Sequence, residues 1–217
     1  MKNLRMLLIE CSPRQAKATS SALGRRLVHA ITQRSGREVE LIERNIGAHP
    51  LPPLSADYAE SLLSSPQLAH GSPDAAIQAS DQLIAELQAA DVVVIAAPVH
   101  NFGIPASLKL WVDLVVRNNV TFKNTAEGKK GLLADRPTLV AVASGGAMFR
   151  EPPRQPDFFR PYLNAAFGVI GIQDISYVPS TGLAFCEQPL AEVESSADAW
   201  IEGGLADFLA RFDKEAA

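Results

Sequence analysis

Cysteine is scarce. Cys11 and Cys186 are the only two among 217 residues. A lone, widely spaced pair with no export signal ahead of it reads as two free thiols in a reducing compartment, not as a disulfide framework. Long apolar runs are missing too. No stretch approaches the ~18 apolar residues of a membrane span. The run from Met6 to Ile9, behind the basic Lys2 and Arg5, is too short for a secretory signal. A cytoplasmic location with no membrane partner is expected. Like charges do not run beyond adjacent pairs such as Lys129-Lys130, and the net charge is −4, from 20 basic and 24 acidic residues. A nucleic-acid partner would want a basic stripe, so none is expected. There is no internal repeat, no low-complexity tract, and no metal site is expected.

What is present suits a buried core. Apolar residues make up 47% and charged residues 20%, close to the globular average. Five short apolar runs stand out: Leu4 to Ile9, Arg37 to Arg44, "DVVVIAA" from Asp91, "TLVAVA" from Thr138, and "ISYVP" from Ile175. Unbroken, β-branched runs mark strands buried on both faces, as in parallel sheets. Helical patterns fall between them. Leu23, Leu27, Ala30 and Ile31 share one face; so do Ala76, Leu83, Ile84 and Leu87; so do Leu108, Trp111, Val112 and Val115, behind a first-turn Pro105. Tyr162 to Ile170 and Ala199 to Phe212 complete the set. The alternation predicts a single α/β domain over residues 1–217, with helices on both faces of a five-stranded sheet in three doubly wound layers.

The 47–73 segment breaks this rhythm. It holds five of the 15 prolines (Pro50, Pro52, Pro53, Pro66 and Pro73) and five serines. It is too long for a simple connection. It is expected to wrap the surface as an insertion with a short helix near Ala56 to Leu63, serving as a lid, a subunit contact or a solvated loop.

In open α/β sheets, ligands sit beyond the carboxyl ends of the strands. Three turns therefore belong together: "CSPRQAKATS" after the first strand, "PVHNFGIPASLK" after the third and "SGGAMFREPP" after the fourth. The first has three readings. It cradles a phosphate on a helix N-terminus; it carries a reactive thiol at Cys11 activated by Arg14 and Lys17; or it is an ordinary connection. The paired glycines of the third let backbone N–H groups approach a ligand closely.

Taken together, these turns resemble the flavodoxin-like family of FMN-dependent NADH:azoreductases and NAD(P)H:quinone reductases. The strongest likeness is "APVHNFGIPASLKLWVDLVVRNNVTFK", Ala97 to Lys123. "SPR…S" (Ser12 to Ser20), "SGG" (Ser144 to Gly146) and "PYLNAAFGVIGI" (Pro161 to Ile172) add to it. The likeness spans essentially the whole chain and implies a sheet of order 2-1-3-4-5. By position it implies that Ser12, Ala18, Thr19 and Ser20 hold the FMN phosphate. Pro98, Val99, His100, Asn101 and Phe102 would form the turn under the ring. Ala143, Ser144, Gly145 and Gly146 would meet its pyrimidine side. Four departures stand out: Ala18 where serine is frequent, His100 where an aromatic is frequent, Ser144 where arginine is frequent, and Asn124 in place of an aromatic. The resemblance implies a ping-pong cycle. NADH or NADPH reduces the flavin at N5, then a quinone or azo acceptor takes the electrons. His100, itself a departure from the family, is a candidate for orienting that acceptor or donating a proton. The resemblance also implies a homodimer, with Trp111, Phe122 and the 47–73 segment as contact sources. Two alternatives remain. One is a flavodoxin-like electron carrier. The other is an enzyme like the low-molecular-weight phosphatases using Cys11, although Lys17 stands where that loop needs arginine.

Overall fold

The computed structural model describes residues 3–62 and 74–213. Strand β1 (Leu4–Glu10) leads into helix α1 (Thr19–Arg34), then β2 (Val39–Asn45), the short α2 (Ala56–Ser61), α3 (Ala75–Ala89), β3 (Val92–Pro98) and α4 (Ala106–Val115). A hairpin of β4 (Phe122–Thr125) and β5 (Gly128–Gly131) follows. Then come β6 (Thr138–Ser144), α5 (Phe159–Ile170), β7 (Ile175–Thr181), α6 (Pro189–Gly203) and α7 (Leu205–Asp213).

Five strands form one parallel sheet of order β2-β1-β3-β6-β7. Counting only these five, this is the predicted 2-1-3-4-5 order. The central strands β3 and β6 are buried almost throughout, while the outer β2 and β7 are partly exposed. Alternate side chains go to opposite faces. Leu7, Ile9, Val93, Ile95, Val140 and Val142 enter one apolar layer with α3, α4 and α5. Met6, Leu8, Val92, Val94, Leu139 and Ala141 enter the other with α1, α6 and α7. Trp111 belongs to the first layer, fully buried and stacked on Phe167 at 5.9 Å. Within one chain its ring is already covered, so it is not available as a subunit contact.

Three local features differ from the sequence reading. The final helix is two helices, α6 and α7, because the chain bends at Gly203-Gly204. A Cβ on Gly204 would lie 2.9 Å from the Trp200 indole nitrogen. Trp200 and Phe208 then meet edge to face across the bend, at 5.6 Å. The β4–β5 hairpin was not foreseen, since its four-residue strands are polar and lack apolar alternation. Pro105 caps α4 from just outside, with Ala106 as the first helical residue.

The described part of the 47–73 insertion is tied down. Gly47 N–H donates to the Glu10 carbonyl at 3.1 Å. Ser55 accepts from Tyr58 N–H at 2.9 Å and donates to Asp74 at 2.7 Å, so it caps α2 and meets the residue that caps α3. Tyr58 is buried, and its hydroxyl donates to the Asp113 carbonyl at 2.9 Å. The expected helix from Ala56 ends at Ser61. Its expected last residue, Leu63, and the rest of the insertion to Pro73 lie outside the described residues.

Helix α1 approaches β3 without an intervening side chain. A Cβ on Gly24 would come 2.7 Å from the Ala96 Cβ. Gly24→Ala should therefore lower unfolding stability by about 1–3 kcal/mol through overpacking, measured by denaturant titration. An unchanged midpoint would contradict this close approach.

Candidate functional site

Beyond Glu10 the chain stays in the ladder for one residue, with Cys11 N–H donating to the Ala96 carbonyl at 3.0 Å. It then turns sharply. Arg14 N–H donates to Ser12 Oγ at 3.3 Å, and Gln15 N–H to the Ser12 carbonyl at 3.2 Å. Gln15 has a positive φ of 52° and opens a short 3₁₀ turn to Lys17. Ala18 is extended and supplies no side-chain cap to α1. Orphan N–H groups at a helix start want an acceptor, and the dipole favours an anion. The hydroxyls of Ser20 and Ser21 are buried with no hydrogen-bond partner. Such a group carries a desolvation cost that a ligand would relieve.

The end of β1 is held in place from two sides. Glu10 is buried, and Arg25 of α1 grips it with two hydrogen bonds, of 3.0 and 2.6 Å. Ser107 in the first turn of α4 donates to the Cys11 carbonyl at 2.7 Å. The Cys11 side chain is fully buried in the apolar layer. Burial, then the neighbouring Glu10 carboxylate, push its pKa far above the ordinary thiol range. A buried, protonated thiol is a poor nucleophile, so the phosphatase-like reading fails.

After β3 the chain makes a two-residue reverse turn. His100 and Gly103 exchange backbone hydrogen bonds of 3.0 Å each, and both residues between them are left-handed, Asn101 at φ 48° and Phe102 at φ 70°. Asparagine suits such a turn; phenylalanine rarely adopts it. Strain of this kind persists where surrounding contacts fix it. Here Phe158 N–H donates to the Phe102 carbonyl at 3.2 Å. After β6, Gly146 presents its carbonyl to the Thr181 hydroxyl at 2.7 Å and to Gly182 N–H at 3.0 Å. The Gly145 carbonyl accepts from Ala184 N–H at 3.2 Å. The glycine turn is thus fastened to the exit of β7.

These turns enclose a cavity of about 500 Å³, within the usual range for ligand pockets. Its wall brings together Ser12, Ala18, Thr19 and Ser20 from the first turn, Pro98, Val99 and His100 from the second, and Ala143 and Gly145 from the third. Asn101 and Phe102 stand exposed at the tip of their turn and are not on this wall. Ser144 is buried behind it, and Gly146 faces the Gln155 side chain. Arg14 and Lys17 line the cavity beside the α1 N-terminus. Sequence reasoning missed a fourth wall, made by Leu183, Ala184, Pro189 and Leu190. These residues carry no polar motif. Their signal was positional, because they follow the carboxyl end of the last strand.

A second, mostly apolar cavity of about 460 Å³ adjoins the first and shares Pro13 and His100 with it. His100 therefore stands between the two. Among the described residues, no group of three or more His, Cys, Asp or Glu is placed to hold a metal ion. Among them, too, no helix is long and apolar enough to cross a membrane.

The family model described as flavodoxin-like fold matches residues 4–202. An FMN-dependent NADH:quinone oxidoreductase 4 of Pseudomonas fluorescens is 43% identical over 189 residues, covering 87% of this chain and 88% of that protein. An FMN-dependent NADH:quinone oxidoreductase 2 of Cupriavidus pinatubonensis is 38% identical, covering 93% and 97%. An FMN-dependent NADH-azoreductase of Bacillus anthracis, solved in complex with FMN, superposes with a TM-score of 0.75. At 24% identity, it covers 95% of this chain and 99% of that one.

The two cysteines should differ sharply in reactivity. In the native protein at pH 8, a disulfide reagent should modify one thiol, Cys186, which is half-buried. Both should react after unfolding. Rapid labelling of Cys11 in the folded state would contradict its sealed position.

Proposed function

The chain belongs to the flavodoxin-like fold family, and from that premise we propose an FMN-dependent oxidoreductase that carries electrons from NADH or NADPH to quinones and azo compounds. The carrying observation is the unpartnered, buried Ser20 hydroxyl on the cavity wall at an uncapped helix N-terminus. FMN supplies the two-electron chemistry when bound. The chain supplies the rest. Ser12, Thr19 and Ser20 offer hydroxyls, the first turn of α1 beyond Ala18 offers backbone N–H groups (that of Ala18 itself donates to the Gln15 carbonyl), and Arg14 and Lys17 offer charge, a donor set suited to a phosphate dianion. Pro98, Val99 and His100 on the cavity wall would lie against the ring, and the backbone at Ala143 and Gly145 would meet its polar edge, where N–H donors stabilise negative charge. His100 lines both cavities, which supports a role in orienting the acceptor. Donor and acceptor would bind in turn, a ping-pong order.

We read residues 1–217 as one FMN-binding domain acting in the cytoplasm as a homodimer. Exposed Phe102, Phe158, Phe185 and Leu190 support the dimer. Apolar side chains left in solvent around a ligand cavity mark an interaction surface.

Two outcomes are expected. The purified protein with FMN should lose its visible flavin absorption under anaerobic NADH or NADPH and regain it on adding a quinone. An unchanged spectrum would contradict the proposal. Ser20→Ala should weaken FMN binding about tenfold or more, as the loss of a hydrogen bond to a charged group predicts, read by quenching of flavin fluorescence. The apo-protein should be no less stable, since the change removes an unsatisfied buried hydroxyl. Unaltered FMN affinity would remove Ser20 from the site.

A further inference from the structure

The β4–β5 hairpin lies at the opposite end of the sheet from the cofactor cavity. It leads through Leu132 and Leu133 into the start of β6, and Leu133 N–H donates to the Ile170 carbonyl at the end of α5. Its register sets Lys123 directly opposite Lys130, and Asn124 opposite Lys129. Directly opposed like charges on one face of a hairpin repel. The ammonium of Lys129 lies 5.1 Å from the centre of the Phe122 ring. All three lysines are exposed, and none has a carboxylate partner among the described residues. A chain of net charge −4 thus gathers three cations within residues 122–131.

The lysines and Gln173 surround a recess of about 660 Å³ between the hairpin and the end of α5. Gly131 and Gly171 pack backbone to backbone and hold the hairpin on the end of α5, since a Cβ on Gly131 would overlap the Gly171 amide. Gly128 and Gly168, also on the wall, have open space where a Cβ would stand, so a ligand can approach the backbone there. Glu127 is the single acidic residue on the wall.

Helix polarity offers a simpler reason for a cation here, since helix C-termini attract positive charge. Three of the last four carbonyls of α5 are already engaged. Phe167 accepts from Gly171 and Ile172, Gly168 from Gly171, and Ile170 from Leu133. Helix polarity also gives no reason to oppose two lysines directly.

We propose that this recess binds a small phosphorylated anion carrying two or more negative charges, of the pyrophosphate type. Such a ligand converts a repulsive pair into a clamp. Lysine ammoniums act on it as point charges, from several directions at once.

The test is a titration of the FMN-saturated full chain with inorganic pyrophosphate at low ionic strength. Binding is followed by calorimetry and by amide chemical shifts. Saturating FMN competes for the α1 N-terminus, and the positions of the amide shifts separate the recess from that site whether or not FMN fills it. Saturable binding is expected, with shifts at Gly128, Gly131 and Gly171 and none at Ser12 or Ser20. The Lys123→Gln, Lys130→Gln double variant should bind at least tenfold more weakly while melting no lower than the parent. A parallel titration with ADP separates sources: equal affinity assigns recognition to the pyrophosphate group, and tighter ADP binding assigns it to a nucleotide. Absence of saturable binding, shifts confined to the α1 N-terminus, or equal affinity in the double variant would overturn the proposal.

Discussion

Contact between α1 and the middle of the sheet governs the rest of the molecule. Gly24 lets the helix lie against Ala96 of β3, and Arg25, the next residue, grips Glu10 where β1 ends. These two contacts fix the height and rotation of α1. The helix therefore starts at one defined place, beside the turns after β3 and β6. Its uncapped N–H groups, the buried Ser20 hydroxyl and the charges of Arg14 and Lys17 all depend on that placement. Moved by a few ångströms, they would meet water, and the reason for an anionic ligand would vanish.

Much of this was legible in the sequence because burial on both faces of a sheet leaves a strong mark. "DVVVIAA" and "TLVAVA" have no polar interruption, and they became the central strands. Parallel strands in turn demand crossovers, and the carboxyl-end rule then located three of the four cavity walls. The fourth wall escaped because Leu183, Ala184, Pro189 and Leu190 look like any loop beside an edge strand. The hairpin escaped for the opposite reason. "FKNT" and "GKKG" have no apolar face, so their pairing rests on glycine contacts with the end of α5 that no local pattern announces. The break between α6 and α7 is another tertiary effect. Two adjacent glycines hint at it, but the Trp200 ring against Gly204 decides it.

The His100 turn shows how a local rule can be broken for position. Two left-handed residues in succession favour Asn-Gly, yet the second is Phe102, half in solvent. Its backbone is held by Phe158 from the β6–α5 connection, and His100 is held by Gly103. The turn lies between the two cavities, and under the proposed function His100 would face the cofactor on one side and the acceptor on the other. Chemistry gathers at the carboxyl end of the sheet, while the lysine-lined recess sits at the amino end, where the main sheet supplies no polar groups of its own.

The account rests on the α1 N-terminus being a phosphate site, and the most direct measurement compares two flavins that differ only there. FMN and riboflavin present the same ring to the same turns, but riboflavin lacks the phosphate. Fluorescence-quenching titrations of the apo-protein should give FMN an affinity higher by about a hundredfold or more, as several hydrogen bonds to a charged group imply. Added salt should narrow the gap. Equal affinity for the two flavins would contradict the account at its centre.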